Sequence, residues 1–153
     1  VFVVDDDKAV RDSLKWLIDI QTHPEKGHLT LIGNNGWYRR NGHRAEFDQQ
    51  PLECAALIDA CYLAYSTNED NIYLEGIDRA FSWFLGQNDL GETLYNFRTG
   101  GCRDGLSASS VNHNEGAESL LSWLMSILRM YELRGATYRI EESIDNTSKG
   151  KTD

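Results

Sequence analysis

The sequence predicts a mainly α-helical fold in which helical hairpins are joined by long functional loops. Four segments have apolar residues at helical spacing, at about residues 8–21, 51–65, 70–85 and 116–134. Two long stretches rich in glycine and polar residues, 25–48 and 86–115, connect them. Because only residues 1–4 are typical of a strand, a doubly wound sheet is excluded for most of the chain.

The chain begins with Val-Phe-Val-Val, a β-branched and aromatic run that predicts a short strand with no partner strand near it in the sequence. Three aspartates, Asp5 to Asp7, follow as an acidic turn. The first helix then carries an apolar stripe from Val10 to Ile18. It is expected to end before Pro24, since the residue before a proline disfavours helix.

The middle helices have clear start signals. Pro51 suits the first position of a helix, where its missing N–H would be unpaired anyway, and Asp70 can cap the next helix. The second helix is expected to bury Leu52, Ala55, Ala56 and Leu63, and the third to bury Tyr73, Ile77, Phe81 and Phe84. Cys54 and Cys61 lie two turns apart on one face and are interpreted as small core residues.

The last helix, over residues 116–134, is the most apolar of the four. Its expected stripe consists of Leu120, Leu121, Leu124, Ile127, Leu128 and Tyr131. Beyond Gly135 the chain becomes polar, which predicts a frayed tail. The expected division is therefore an N-terminal fragment of residues 1–15, a helical domain of residues 16–134 and a flexible tail of residues 135–153.

The composition excludes several classes of function. The formal charge is −9 and no basic stripe is present, so binding to a nucleic acid is not expected. No apolar run approaches the roughly 18 residues of a membrane span. Three cysteines are few for a disulfide-rich secreted scaffold, and this number favours a location in the reducing cytoplasm. The four scattered histidines lack paired metal-ligand spacing, and no glycine-rich phosphate loop follows a strand, so no cofactor is expected.

Three polar clusters are candidates for ligand binding. They are His28 with residues 33–39, residues 48–53 at a helix start, and residues 99–105 together with 112–119, which run into another helix start. Each combines amides, carboxylates and glycines with nearby aromatic residues, and these groups suit the hydroxyls and the C–H face of a sugar. Structural roles compete with this interpretation. Gln49 and Asp48 could simply cap a helix instead of binding a ligand, and so could Glu115. Trp37 is favoured as a core residue over a stacking platform.

A catalytic interpretation uses the carboxylates. Two acids on either side of a pocket can perform glycoside acid/base chemistry, and Glu118 and Asp104 are the candidate pair. Trp83 and Trp123 lie on helical stripes and are expected in the core.

The same clusters carry a resemblance to a known family. The strings GHLTLIGNNGWYRR, FDQQPLECAALIDACYLAY, FSWFLGQNDLGETLYNFRTGGCRDGL and VNHNEGAESLLSWL resemble the C-terminal helical region of large bacterial glycosyltransferase-type proteins, over about residues 13–133. The resemblance implies an incomplete (α/α)6 toroid and a carbohydrate-related role. The positions that match its motifs are His28, Asn34, Trp37, Gln49, Gln50, Asp104, Asn112, Asn114, Glu115 and Glu118. The family usually has Gln at position 115 and Thr at position 120, which argues against catalysis by Glu115.

Residues 1–18, VFVVDDDKAVRDSLKWLI, are similar to the start of a response-regulator receiver domain. That resemblance implies that Asp5 and Asp6 would belong to a Mg²⁺-binding acidic pocket. The phosphoacceptor aspartate and the later lysine motif of a receiver have no counterpart here, so phosphorelay activity is not expected.

The resulting expectation is a carbohydrate-binding or accessory module of a glycosyltransferase-type protein, without independent turnover. The alternatives are a glycosidase- or epimerase-like enzyme and a signalling fragment derived from a response regulator. The expected partners are an oligosaccharide and either an upstream transferase domain or a second copy. A partial toroid would leave an apolar face uncovered, which predicts self-association.

Overall fold

The computed structural model describes the backbone of residues 7–149 and the side chains of residues 8–135. Its elements are α1 (Asp7–Ile20), α2 (Pro51–Asn68), α3 (Asn71–Phe84), β1 (Gly105–Leu106), β2 (Val111–Asn112) and α4 (Ala117–Lys149). The mainly α-helical class is therefore confirmed, while the toroid stays a prediction. The expected strand of residues 1–4 and the aspartates Asp5 and Asp6 lie outside the described residues.

Helix α2 is the central element, because it packs against both α3 and α4. It begins at Pro51, as expected, and ends at Asn68. Glu69 caps this end: it adopts a left-handed conformation (φ 52°) and donates its backbone N–H to the Tyr65 carbonyl at 2.8 Å. Asp70 then caps α3, since its carboxylate accepts a hydrogen bond from the Ile72 backbone N–H at 3.2 Å. This two-residue connection makes α2 and α3 a helical hairpin.

The core lies between α2, α3 and the first turns of α4. Trp83 and Trp123 are buried in it, and so are Cys54 and Cys61, as the sequence predicted. The expected stripe of α2 was wrong in part, because Leu52, Ala56 and Leu63 are exposed. The stripe that is buried consists of Cys54, Leu57, Ile58 and Cys61. These residues have the same helical spacing, but they face α3 on a neighbouring side of the helix.

Helix α4 shows the largest departure from the expected burial. Ser119, Ser122, Trp123 and Ser126 are buried, whereas Leu121, Leu124, Leu128 and Tyr131 of the expected stripe are exposed. Because serine side chains are small, the serine-rich face of α4 allows this helix to approach α2 closely. The hydroxyls stay satisfied because Ser122 and Ser126 each donate at 2.8 Å to the carbonyl four residues earlier. The helix also continues to Lys149, well past the predicted end at residue 134.

The two long loops are ordered by hydrogen bonds. In the first, isolated bridges pair Thr22 with Leu29 and Tyr38 with Arg44. In the second, the buried Asn88 amide donates to the Trp83 and Glu92 carbonyls, both at 2.8 Å. An antiparallel hairpin of β1 and β2 lies at the end of this loop, and it was not predicted from the sequence. Strands of two residues are too short for a recognisable alternation.

Candidate functional site

A polar pocket of about 410 Å³ lies where segments from all three predicted clusters meet. It is lined by Asn34, Asp48, Gln49, Gln50, Asp104, Gly105, Leu106, Ser107, Ser110 and Asn112. Half of the predicted site residues therefore share one pocket: Asn34, Gln49, Gln50, Asp104 and Asn112. The other five do not line it: His28, Trp37, Asn114, Glu115 and Glu118.

Backbone pairing holds the three segments together. Gln49 and Leu106 exchange two N–H to carbonyl hydrogen bonds, each 2.9 Å long, which attach the start of α2 to β1. The Asn34 N–H donates to the Asp48 carbonyl at 3.0 Å and so attaches the first loop. Gly105 permits the pairing of Gln49 with Leu106, because its φ is +145° and a Cβ there would overlap the Gln49 carbonyl oxygen.

Two polar side chains in the pocket are not engaged by the part of the chain that the structure describes. Within residues 8–135, neither the Asn34 amide nor the Asp48 carboxylate makes a side-chain hydrogen bond, while both line the cavity. Such groups are available to a ligand. None of the lining residues is Lys, Arg or His, so the pocket offers two carboxylates and several neutral donors and acceptors.

Gln49 supports the pocket from behind. Its side chain is fully buried (0% exposed), although the residue is among those that line the cavity. The amide Nε2 donates to Asp89 Oδ2 at 2.5 Å and to the Glu46 carbonyl at 2.8 Å, and Oε1 accepts from the Trp83 indole at 3.0 Å. Each polar atom is therefore used within the protein, which makes Gln49 a positioning residue.

Asp89 is the central residue of this buried network, and it was not predicted from the sequence. Its carboxylate accepts hydrogen bonds from Gln49 and from the Thr30 hydroxyl (2.9 Å), and it pairs with His28 Nε2 at 2.8 Å. Burial alone would raise the pKa of Asp89, but the hydrogen bonds from His28, Gln49 and Thr30 together lower it below its ordinary value. His28, which was predicted to bind the sugar, is thus engaged in the same network.

Asp104 holds the start of α4. Its Oδ1 accepts hydrogen bonds from the Gly116 backbone N–H at 2.8 Å and from the Ser119 hydroxyl at 2.6 Å. This is a capping arrangement, although the carboxylate also lines the pocket. Glu118 is exposed in the first turn of α4. The catalytic roles expected for Asp104 and Glu118 stay predictions.

Glu115 is occupied within its own loop. Its carboxylate accepts from the Asn96 amide at 2.6 Å and from the Thr99 hydroxyl at 2.8 Å, and these hydrogen bonds lower its pKa. Asn114 contributes its backbone carbonyl, which accepts from the Asp104 N–H at 2.9 Å. Asn112 alone of these loop amides lines the cavity, and its Oδ1 accepts from the Asn114 N–H at 3.2 Å.

Ser107 and Ser110 line the pocket without having been selected from the sequence, and Asp48, the first residue of the second predicted cluster, lines it as well. Asp48 directly precedes the selected pair Gln49 and Gln50. The serines lie in a run of small polar residues between Leu106 and Val111, which is a hairpin signal that could have indicated them. Asp89 carries no comparable local signal.

Trp37 lies outside the polar pocket and outside the core. Its side chain is 59% exposed, so the expectation that it would be a core residue was wrong. The physical reason is its backbone: φ is +58°, and the turn directs the ring outwards to a second groove, beside Trp16 and Tyr38.

Other chemistries find no site in the part of the chain that the structure describes. No group of three or more His, Cys, Asp or Glu residues there could hold a metal ion. Burial raises the pKa of the Cys54 thiol, and it raises the pKa of Cys61 and Cys102 to about 12, so reactive thiolates are disfavoured. None of the described helices has both the length and the apolarity to cross a membrane.

Comparison with known proteins identified no relative: no family model matches the chain, and no curated protein matches it.

Proposed function

We propose that this chain is a carbohydrate-binding module that holds a neutral sugar in the polar pocket. The observation that carries the proposal is the convergence of three separate segments on one cavity whose Asn34 and Asp48 side chains make no hydrogen bond to the described side chains and backbone. In keeping with the sequence resemblance, the module would serve a glycosyltransferase-type protein as an accessory region without turnover of its own.

The lining of the pocket favours a ligand with many hydroxyl groups. Eight of its ten lining residues have polar side chains, with amides, hydroxyls and carboxylates among them. A hydroxyl both donates and accepts, so it can satisfy an amide and a carboxylate at the same time. The volume of about 410 Å³ also lies in the usual range of small-molecule sites.

The charge of the pocket favours a neutral ligand over a phosphorylated one. Asp48 and Asp104 are acidic, and no lining residue is basic. A phosphate would have no cation to neutralise it and would be repelled by the two carboxylates. A sugar phosphate or a nucleotide sugar should therefore bind more weakly than the free sugar.

Hydrolysis of a glycoside is the second candidate, because it requires paired carboxylates and the pocket presents Asp104 beside a further acid, Asp48. Glu118 is the partner expected from the sequence. A reducing-sugar assay distinguishes the two proposals. We expect no turnover in the wild type, whereas activity that is lost in Asp104→Ala and in either Asp48→Ala or Glu118→Ala would establish the enzyme.

Isothermal titration calorimetry with neutral mono- and oligosaccharides of glucose and mannose tests the binding proposal. We expect saturable heat from the wild type and at least tenfold weaker binding in Asn34→Ala and Asn112→Ala, since each change removes hydrogen bonds to the ligand. Asn71→Ala is the matched control, because Asn71 is exposed on α3 outside the pocket. Absence of heat with every sugar, or equal binding by all three variants, would refute the proposal.

A further inference from the structure

We propose that the aromatic groove beside the polar pocket is a second sugar subsite, so that the ligand is an oligosaccharide rather than a single sugar. The groove has a volume of about 460 Å³ and combines Trp16, Trp37 and Tyr38 with the carboxyl group of Glu53. This inference rests on the proposed function and names its substrate class.

Two short stretches of chain join the groove to the polar pocket. In the first loop, Asn34 lines the pocket and Trp37, three residues later, lines the groove. At the start of α2, Gln50 lines the pocket and Glu53 lines the groove one helical turn further on. Three residues of chain span at most about 10 Å, so lining residues of the two sites lie within that distance of each other, and the proposed oligosaccharide would extend from one site to the other.

The aromatic rings are placed for stacking on a ligand. Trp16 and Tyr38 are 54% and 43% exposed, and their rings are nearly parallel, with centroids 6.4 Å apart and an interplanar angle of 7°. Each ring of this stacked pair leaves part of its apolar surface open to solvent, and the C–H face of a pyranose ring is apolar as well, so the two can pack together. The groove would therefore take the C–H faces of sugar units whose hydroxyls point towards solvent or Glu53.

Trp37 provides an independent observation. A bulky residue at φ +58° is strained, because its Cβ crowds the backbone in the left-handed region. Its turn is nevertheless held in place, since the Trp37 carbonyl accepts from the Ala45 N–H at 2.9 Å and the Gly33 N–H donates to the Ala45 carbonyl at 2.8 Å. The chain thus maintains a strained conformation that keeps an indole ring exposed, which is a common property of ligand sites.

Glu53 supplies the polar contact that such a groove needs. Its side chain is half-buried, and burial raises the pKa of its carboxyl group. The only hydrogen bond that its carboxyl group makes among the described residues is a long one, 3.5 Å, from the Gln50 backbone N–H. A sugar hydroxyl could therefore approach the same carboxyl from the groove, at the junction with the polar pocket.

Calorimetric titration with cello- and manno-oligosaccharides, from the monosaccharide to the hexasaccharide, tests this inference. We expect the affinity of the wild type to rise with chain length, and Trp37→Asn to weaken the hexasaccharide about tenfold while leaving the monosaccharide unchanged. Asparagine tolerates the left-handed backbone, so the melting temperature of this variant should not fall. Tyr131→Ala, which removes an exposed aromatic ring on α4, is the control.

The outcomes separate the two proposals. Binding that does not strengthen with length, or a loss in Trp37→Asn that is equal for monosaccharide and hexasaccharide, overturns the second subsite and leaves the polar pocket intact. Absence of binding by every sugar overturns both. If the groove instead pairs two copies of the chain, sedimentation would show a dimer for the wild type and a monomer for Trp37→Asn. Sugar binding would then not depend on the length of the sugar, and the second subsite would be overturned.

Discussion

The side-chain amide of Gln49 donates a hydrogen bond to the carboxylate of Asp89 across 2.5 Å, although the two residues are forty positions apart in sequence. The backbone of Gln49 simultaneously pairs with Leu106 at the wall of the polar pocket. The network around Asp89 therefore connects two long loops to the start of α2. The stability of the fold and the shape of the pocket depend on the same buried contact.

Asp89→Asn should destabilise the protein by about 2 kcal/mol at pH 7, because at least one buried donor from Thr30, His28 or Gln49 would face an amide N–H₂ in place of a carboxylate oxygen. Thermal unfolding followed by circular dichroism measures the effect. Asp78→Asn is the control, since Asp78 is exposed on α3, and it should stay within about 0.5 kcal/mol of the wild type. Equal melting temperatures for the two variants would contradict the role of the network.

The pH dependence of this difference has a definite sign. The folded-state pKa of Asp89 is lowered from its ordinary value of 3.8. Its contribution is therefore fully present above the unfolded-state pKa and is lost as the pH falls through the folded-state value. The gap between wild type and Asp89→Asn should thus shrink as the pH falls below about pH 4.

Much of the helical architecture could be predicted from the sequence because helix signals are local. Pro51 begins α2 and Asp70 caps α3, as their side-chain chemistry indicates. The face that α4 buries could not be predicted in the same way. An apolar stripe and a serine face are both compatible with a helix, and the choice depends on how closely α2 approaches.

The candidate site was predictable to a similar extent. Asn34, Gln50 and Asn112 were selected for their chemistry, and the structure brings them to one cavity. Selection by chemistry could not separate a side chain that is free to bind a ligand from one whose hydrogen bonds are used internally. Gln49 and Glu115 are of the second kind, because their partners, Asp89 and Asn96, come from other parts of the chain.

Gly105→Ala should disrupt the polar pocket. A Cβ at this position would overlap the Gln49 carbonyl oxygen, and φ of +145° is itself unfavourable for alanine. We expect a loss of at least about 3 kcal/mol in unfolding free energy, measured by urea denaturation, together with the loss of sugar binding. Gly91→Ala is the matched control: its φ is +68° with open space around it, so only the backbone strain of about 1 kcal/mol is added. Similar losses in both variants would contradict a steric role for Gly105.

Helix α4 presents an apolar stripe to solvent, in which Leu121, Leu124, Met125, Leu128 and Tyr131 are 45% to 79% exposed. Because contiguous exposed apolar surface favours association, the average mass in sedimentation equilibrium should rise with concentration. The double change Leu124→Glu and Leu128→Glu should keep the chain monomeric without lowering its melting temperature, since both leucines are exposed and glutamate is a good helix former. Leu85→Glu alters a leucine of similar exposure just after α3 and should still associate. A wild-type chain that stays monomeric at high concentration would show that this stripe does not mediate self-association.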